Sequence, residues 1–320
     1  MLRTLTTLLA CKNELGATVG SWFALKEPGS TDYLYYDPSQ NLSSSPYSLN
    51  DTQHGALSNT LQQLWTSNIS YILFNDEPAT TAISEVDATA YGHTKGVWAW
   101  SGPDAFLLTH SIPLFPTGPG AVPAYGGLGA NARIYAQTLA CFSMDTSELA
   151  TLAAQAMLNA PNIYERRVLA GTPTALIALA NGTKSTVATC TNTAFQAVGI
   201  PVLTYFAKSA AWNNELYSAC VAPGLRSGLL AETWLRGSAA GPACGEYGVL
   251  DVQALAFPGV SYKESQDHSK WAVGVTGAEV CVADINRMTT QYKRGGGAIC
   301  WNNTVLSAAL RGAVVKTDSC

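Results

Sequence analysis

The sequence predicts an α/β protein built as two halves, each presenting one copy of a short half-site. The first observation behind this is a repeat: His93-Thr94-Lys95-Gly96 is echoed by His268-Ser269-Lys270-Trp271. In an extended strand, residues two apart point to one face, so each copy can aim a histidine and a lysine at the same group. The second is the likeness of the stretches downstream of the two copies. Val97 to Trp100, a turn at Ser101-Gly102-Pro103-Asp104 and a second apolar run ending at His110 are matched by Ala272 to Val275, a turn at Thr276-Gly277 and a run from Val280 ending at Asn286. The spans nearly coincide, 110 − 93 = 17 and 286 − 268 = 18, as expected of duplicated hairpins. The third is that short strand-like apolar runs alternate with stretches at helical spacing. One His-x-Lys alone reads best as a surface strand. Yet the chain has four histidines, and His93, His110 and His268 all lie in the repeat. His54 lies outside it and reads as a solvated loop residue.

In chain order, Thr18 to Leu25 suits a buried strand with Trp22 and Phe23 in the core, and Tyr33 to Tyr36 its hairpin partner. Residues 39–53 are polar and turn-rich, a loop. Leu57, Leu61, Leu64 and Trp65 mark a helix over 56–66, and Tyr71 to Phe74 a short buried strand. The first half-site fills 91–116. Residues 112–131, rich in Pro and Gly, form a loop long enough to be functional. Tyr135 to Phe142 is a strand, and Asp145-Thr146-Ser147-Glu148 opens a helix that stops near Asn159, before Pro161. The division between halves falls near 165, giving 11–165 and 166–320 after a signal-like segment at 1–10. Val198 to Phe206 is strand-like, and Ala211 to Cys220 is a helix or loop. Residues 221–247 carry no readable pattern. Asp251 to Phe257 leads to the second half-site, Lys293 to Gly297 reads as a flexible basic loop, and Thr304 to Val315 as a closing helix.

At 320 residues, with 47% hydrophobic and 12% charged residues, the chain can bury a large core, as two domains or as two fused halves. No apolar run approaches the roughly 20 residues that cross a bilayer. A net charge of −4 argues against bulk electrostatic binding of nucleic acid at neutral pH. Protonating four histidines brings it to −4 + 4 = 0, so an acidic setting suits an anionic substrate. Eight cysteines, with no Cys-x-x-Cys, point to four disulfides and an oxidising compartment. Sequons at Asn41, Asn50, Asn68, Asn181 and Asn302 agree with secretion.

Two facing His-x-Lys copies supply a nucleophile on one side of a phosphorus and a proton donor on the other, with Lys95 and Lys270 neutralising the non-bridging oxygens. His110 and Asn286 are candidate donors to the same oxygens. No carboxylate cluster, Walker loop or dinucleotide fingerprint is present, so the reading has no metal and no cofactor. Arg294-Gly295-Gly296-Gly297 serves equally as a phosphate approach or a plain turn.

These residues carry a family resemblance. Gly92 to Val97, His110-Ser111-Ile112-Pro113 with Phe115-Pro116, and Tyr135 with Gln137-Thr138-Leu139 match the deoxyribonuclease II family. So do Asn75-Asp76 with Pro78, Phe206-Ala207-Lys208, Ala256 to Gly259, Asp267 to Trp271 and Arg294 to Gly297. The matches run in family order from Cys11 to Cys320 and thin out at 40–60, 117–131, 145–195 and 221–243. The chain therefore resembles the acid endonucleases, a divergent branch of the phospholipase D superfamily. The resemblance implies a phospholipase D-like fold of two pseudo-symmetric α/β halves with mixed sheets and a shared active site at their interface. It also implies metal-independent cleavage of double-stranded DNA at acid pH, leaving 3′-phosphate and 5′-hydroxyl ends. It implies that each half donates its His-x-Lys, so His93, Lys95, His268 and Lys270 are the expected catalytic residues; His110, Asn286 and Arg294 are the candidates for binding the phosphate. Disulfides carry over as Cys11–Cys141, Cys244–Cys320 and Cys281–Cys300. Cys190 and Cys220 are left over and are inferred to pair.

In the wider superfamily an Asp stands seven residues after the histidine, where this chain has Trp100 and Val275. Deoxyribonuclease II relatives share that lack. The leading reading is an acid endodeoxyribonuclease acting through a phosphohistidine, His93 attacking and His268 protonating the leaving oxygen; pseudo-symmetry leaves the reverse assignment nearly as good. A phospholipase D-like phosphodiesterase and an inactive secreted DNA-binding homologue are the alternatives, the second disfavoured by the intact site residues. DNA is expected to be gripped by its backbone with little base preference. The setting is the secretory pathway, lysosomal, endosomal or extracellular, and monomer and homodimer both remain open.

Overall fold

A computed structural model describes residues 9–79 and 90–320, so residues 1–8 of the signal-like segment lie outside the described residues. Strands β1 (Ser21–Lys26), β2 (Tyr33–Asp37), β3 (Gln40–Ser44), β4 (Ser70–Phe74), β5 (Gly96–Ser101), β6 (Asp104–His110), β7 (Gln137–Asp145) and β8 (Ile163–Arg167) form one sheet, in the order β3-β2-β1-β7-β6-β5-β4-β8. The second sheet holds β9 (Cys190–Ala197), β10 (Ile200–Lys208), β11 (Leu229–Glu232), β12 (Val249–Phe257), β13 (Val260–Lys263), β14 (Trp271–Gly274), β15 (Glu279–Ala283) and β16 (Gly296–Asn302). Its order is β13-β12-β11-β14-β15-β16-β10-β9, with β17 (Val314–Thr317) pairing β12. The passage from one sheet to the other falls between Arg167 and Cys190.

Laid side by side, β8-β4-β5-β6-β7-β1-β2 matches β12-β11-β14-β15-β16-β10-β9 position for position. Within these seven positions strand direction differs once, where β4–β8 is antiparallel and β11–β12 is parallel, so the second sheet is the mixed one; β3, β13 and β17 are additions outside the match. This is the two-half, phospholipase D-like α/β fold.

Helices α1 (Ala56–Leu61), α2 (Thr146–Thr151), α3 (Ala153–Asn159), α4 (Thr174–Ala180), α5 (Ala222–Leu225) and α6 (Thr304–Ala313) are short. The largest apolar cluster is common to both sheets. Phe23, Leu25, Trp98 and Phe142 of the first meet Leu203, Val273, Val282 and Trp301 of the second, with α2, α3, α4 and α6 filling in. The alternate residues Trp22 and Ala24 pack on the other face with Leu57, Leu61 and Leu64 of α1 and its continuation. With both faces covered, β1 is buried throughout and shows no polar alternation.

Several local expectations need correcting. Gln40–Ser44, expected in a loop, is edge strand β3; its polar residues stay in water while the backbone pairs with β2. The helix expected over 145–159 breaks at Leu152 into α2 and α3. Gly296 and Gly297, read as part of a flexible loop, are buried and open β16, where an added Cβ on Gly297 would meet the Phe206 carbonyl at 2.4 Å. The strand expected at 198–206 is a hairpin of β9 and β10 turning at Val198-Gly199.

All eight cysteines are paired, as Cys11–Cys141, Cys190–Cys220, Cys244–Cys320 and Cys281–Cys300. Among the described residues no helix is long and apolar enough to cross a membrane.

Candidate active site

Each His-x-Lys lies just before a central strand, β5 or β14, and each is gripped by the opposite half. The His93 N–H donates to the carbonyl of Gly295, the residue before β16, at 2.9 Å; the His268 N–H donates to Ala136, the residue before β7, also at 2.9 Å. These are equivalent positions, so one contact occurs twice about the pseudo-twofold. The match extends further. Ser111 N–H donates to Thr138 O and Asp284 N–H to Gly297 O, while Thr138 N–H returns to Ser111 Oγ and Gly297 N–H to Asp284 Oδ1. The approach at His93 requires glycine: a Cβ on Gly92 would stand 1.8 Å from the Asn159 carbonyl oxygen and 2.8 Å from that of Gly295.

Around His93 the charges are dense. Its Nδ1 lies 2.5 Å from the Asp284 carbonyl oxygen, which can only accept, so Nδ1 carries the proton and Nε2 keeps its lone pair. Nε2 is 3.8 Å from the Asp76 carboxylate. Asp76 is also ion-paired to Lys95, and Arg294 reaches its second oxygen at 3.0 Å. Burial pushes the Asp76 carboxyl up, but Lys95, His93 and Arg294 outweigh it and hold it below the ordinary carboxylate value.

His268 is held by rings. Tyr135 stacks on it with centroids 4.6 Å apart and planes 10° apart, and Trp234 stands edge-on at 3.9 Å. Among the described residues its ring nitrogens have no hydrogen-bond partner. Lys270 donates from Nζ to the His268 carbonyl at 2.7 Å and from its backbone to Thr138 Oγ1 at 2.9 Å, a second tie across the halves.

The electrostatics join the two arms into one site. Burial, then Lys95, pulls the His93 imidazole well below 6.5, and Lys270 and Arg294 add to this against Asp76. Burial, then Lys270, Lys95 and Arg236, brings His268 down to about 3. Each lysine thus depresses both histidines. Lys270 itself falls to about 7, by burial and then by Lys95.

Arg294 sits on Asp76 beside His93. His110 is fully buried; its Nδ1 accepts from Ile112 N–H at 3.2 Å, and its Nε2 has no partner. Its N–H donates to Lys95 O at 3.3 Å, whereas Lys270 O accepts from Ala283 at 2.9 Å. The ladder therefore matches His110 to Ala283, and Asn286 lies three residues beyond. Asn286 is buried with Oδ1 unpartnered. Behind Lys95, between the sheets, is a cavity of about 20 Å³ lined by Thr94, Trp98, Tyr205 and Asp284, large enough for one water. Neither His93 nor His268 lines it.

Sequence reasoning gave no role to Asp76, Asp284, Tyr135 or Trp234. Asp76 and Tyr135 stand in stretches that carry the family resemblance, which was the available signal; nothing local marks Asp284 or Trp234. Among the described residues, no three His, Cys, Asp or Glu side chains stand together as a metal site.

Two clasped halves, each bringing one His-x-Lys to a cationic centre, make up a phospholipase D-like fold. The deoxyribonuclease II family model matches residues 10–320. Deoxyribonuclease-2-alpha of Rattus norvegicus is 31% identical, the match covering 98% of this chain and 95% of that protein. A putative deoxyribonuclease-2 of Burkholderia thailandensis is 33% identical over 93% and 90% of the two chains. Plancitoxin-1 of Acanthaster planci is 30% identical over 90% and 82%. The chain belongs to the deoxyribonuclease II family and is a nuclease of that type.

Proposed function

We propose that the protein is a metal-independent acid endodeoxyribonuclease that cuts double-stranded DNA to 3′-phosphate and 5′-hydroxyl ends through a phosphohistidine. The observation carrying this is the unequal treatment of the two histidines: His93 Nδ1 is tied to the Asp284 carbonyl, while the His268 ring, stacked on Tyr135, has no hydrogen-bond partner among the described residues. The fixed tautomer suits a nucleophile, and the free ring suits a group that gains and loses a proton.

In the first step the Nε2 lone pair of His93 attacks phosphorus and the P–O5′ bond breaks. His268 gives its proton to O5′, leaving a 5′-hydroxyl. The 3′-phosphoryl group is then bonded to Nε2, and the resulting imidazolium keeps its Nδ1 proton on Asp284 O. In the second step His268, now neutral, takes a proton from water, which attacks phosphorus and breaks the P–N bond. The 3′-phosphate leaves and His93 returns to neutrality. Lys95, Lys270 and Arg294 supply positive charge to the equatorial oxygens.

Contacts to the DNA backbone fall to two exposed cations flanking the site. Lys184 Nζ lies 3.7 Å over the Tyr91 ring, two residues before His93, and the Arg236 guanidinium 4.9 Å over Trp234, which packs on His268. Neither pair presents a base-reading edge in a groove-sized element, so little sequence preference is expected. Four disulfides, and exposed sequon asparagines at 41, 68, 181 and 302, support passage through the secretory pathway to a lysosomal or extracellular setting.

The test is plasmid nicking at about pH 5, where histidine chemistry is available, with EDTA present. Cleavage should persist, and an alkaline quench should trap labelled 3′-phosphoryl on the parent protein and not on His93→Ala. Activity lost to EDTA and restored by a divalent ion, or label trapped on His93→Ala, would reject the mechanism. Cleavage of phosphatidylcholine but not DNA would favour a lipid phosphodiesterase.

A further inference from the structure

Two lysines outside the His-x-Lys motifs occupy one and the same place in the two halves. Lys26 ends β1 and pairs in register with Gln137, the first residue of β7; Lys208 ends β10 and pairs with Gly296, the first residue of β16. Both are buried. Neither forms an ion pair among the described residues. Each instead spends its ammonium on three backbone carbonyls. Lys26 Nζ donates to Glu27 O at 2.6 Å, Ser30 O at 2.8 Å and Arg133 O at 3.1 Å. Lys208 Nζ donates to Gln291 O at 3.1 Å, Tyr292 O at 2.8 Å and Arg294 O at 2.6 Å.

An ammonium has three donors, and here three inward-turned carbonyls take all of them. Asp267 near Lys26 and Glu215 near Lys208 favour the charge but lie beyond ion-pair distance, and burial outweighs them; core packing alone would be better served by an apolar side chain. The matching position and matching coordination in both halves point to a common task. The carbonyls identify it. Arg294 immediately precedes Gly295, whose carbonyl holds the His93 N–H, and its own side chain lies on Asp76. Arg133 stands just before Tyr135, which stacks on His268, and Ala136, whose carbonyl holds the His268 N–H.

We infer that Lys26 and Lys208 are positioning residues, each fixing the loop with which its own half grips the catalytic histidine of the other half. Lys208 thereby sets His93, and Lys26 sets His268. Burial brings both ammonium groups down to about 8, so both stay charged in acid.

The test rests on the histidine roles proposed above and separates the two arms by leaving group. DNA needs its leaving oxygen protonated; bis(p-nitrophenyl) phosphate releases a weakly basic phenolate that does not. Lys208→Met displaces the nucleophile, so single-turnover cleavage should fall about 100-fold on both substrates. Lys26→Met displaces the acid, so it should fall about 100-fold on DNA and less than about 3-fold in the p-nitrophenol burst. A merely structural lysine would lower the melting temperature without this split. Should either methionine variant fail to fold, Lys26→Gln and Lys208→Gln, which keep two donors, carry the same comparison with smaller losses. Folded variants within 2-fold of the parent on both substrates, or equal losses on both from both variants, overturn the inference. The split with the lysines exchanged would leave the positioning intact and reverse the roles of His93 and His268.

Discussion

The backbone N–H of His93 ends on the carbonyl of Gly295, 2.9 Å away in the opposite half, and His268 repeats this contact with Ala136. Neither half can therefore present its histidine in the observed place without the other. Both imidazoles also feel both lysines. His93→Ala and His268→Ala should each abolish DNA cleavage, and the double variant should lose little more, because groups acting on one phosphorus are not additive. Partial losses that add, each single variant keeping part of the activity and only the double losing all of it, would mean two independent sites. The measurement is kcat for plasmid nicking by the three variants.

The clasp also depends on backbone proximity. A methyl group on Gly92 meets two main-chain oxygens, of Asn159 and Gly295, which cannot swing aside as a side chain would. Gly92→Ala should lower kcat about 100-fold or more through displacement of His93. Gly126→Ala, where nothing lies within 4 Å of the added carbon, should leave kcat unchanged and stability within about 0.5 kcal/mol. Equal behaviour of the two variants would show that the close approach at Gly92 is not needed.

Behind the second arm, Glu232 on β11 faces Trp271 across the ladder, fully buried with neither carboxyl oxygen partnered. Burial first, then Asp267, Glu264 and Asp251, drive its pKa well above 4.5. A raised folded pKa means that the native state binds the proton more tightly than the unfolded chain does. The cost of ionisation is absent in acid and appears as pH rises above the unfolded value of about 4.3. Glu232→Gln should thus change stability little at pH of about 4 and stabilise increasingly above it, by up to about 1.4 kcal/mol per pH unit until the folded pKa is reached. Urea unfolding of parent and variant across pH checks this; a gain that shrinks as pH rises would contradict it.

The sequence exposed what is local. Alternation and apolar runs located the hairpins after His93 and His268 because i and i+2 contacts are written in adjacent residues. What escaped is non-local. Asp76 matters because Lys95 and Arg294 reach it, the second from the other half, and no spacing rule joins them. Tyr135 and Trp234 become partners of His268 only once the loops before β7 and after β11 meet. Near-equal spans of 17 and 18 paired His110 with Asn286, but the ladder aligns His110 with Ala283, because the second hairpin turns differently. β3 was missed because its residues are exposed and polar, leaving backbone pairing as its only signature. Gly296-Gly297 read as a loop because glycine favours turns, whereas here its small size admits the Phe206 backbone to a buried strand.

In the proposed mechanism the pH profile follows from two groups that must carry protons. His268 must be protonated to release O5′, yet burial, Lys270, Lys95 and Arg236 bring it down to about 3 in the free enzyme. Lys270 must be an ammonium to neutralise the phosphate, and burial and Lys95 bring it to about 7. Both protons are lost as pH rises, so kcat/KM should fall on the alkaline side, with its limb below the ordinary histidine value of about 6.5. His93 must be neutral to attack, and its depressed pKa keeps it so in mild acid. A bound phosphodiester offsets Lys95 and Lys270 and raises His268, so the alkaline limb of kcat should lie higher than that of kcat/KM. Added salt weakens DNA binding without removing the acid, so it should lower kcat/KM while leaving the kcat limb in place. In Lys270→Arg, whose charge cannot be titrated away, any remaining alkaline fall belongs to His268. Undiminished kcat/KM at pH 8 in low salt with EDTA would show that neither proton is needed, and the role given to His268 would have to be abandoned.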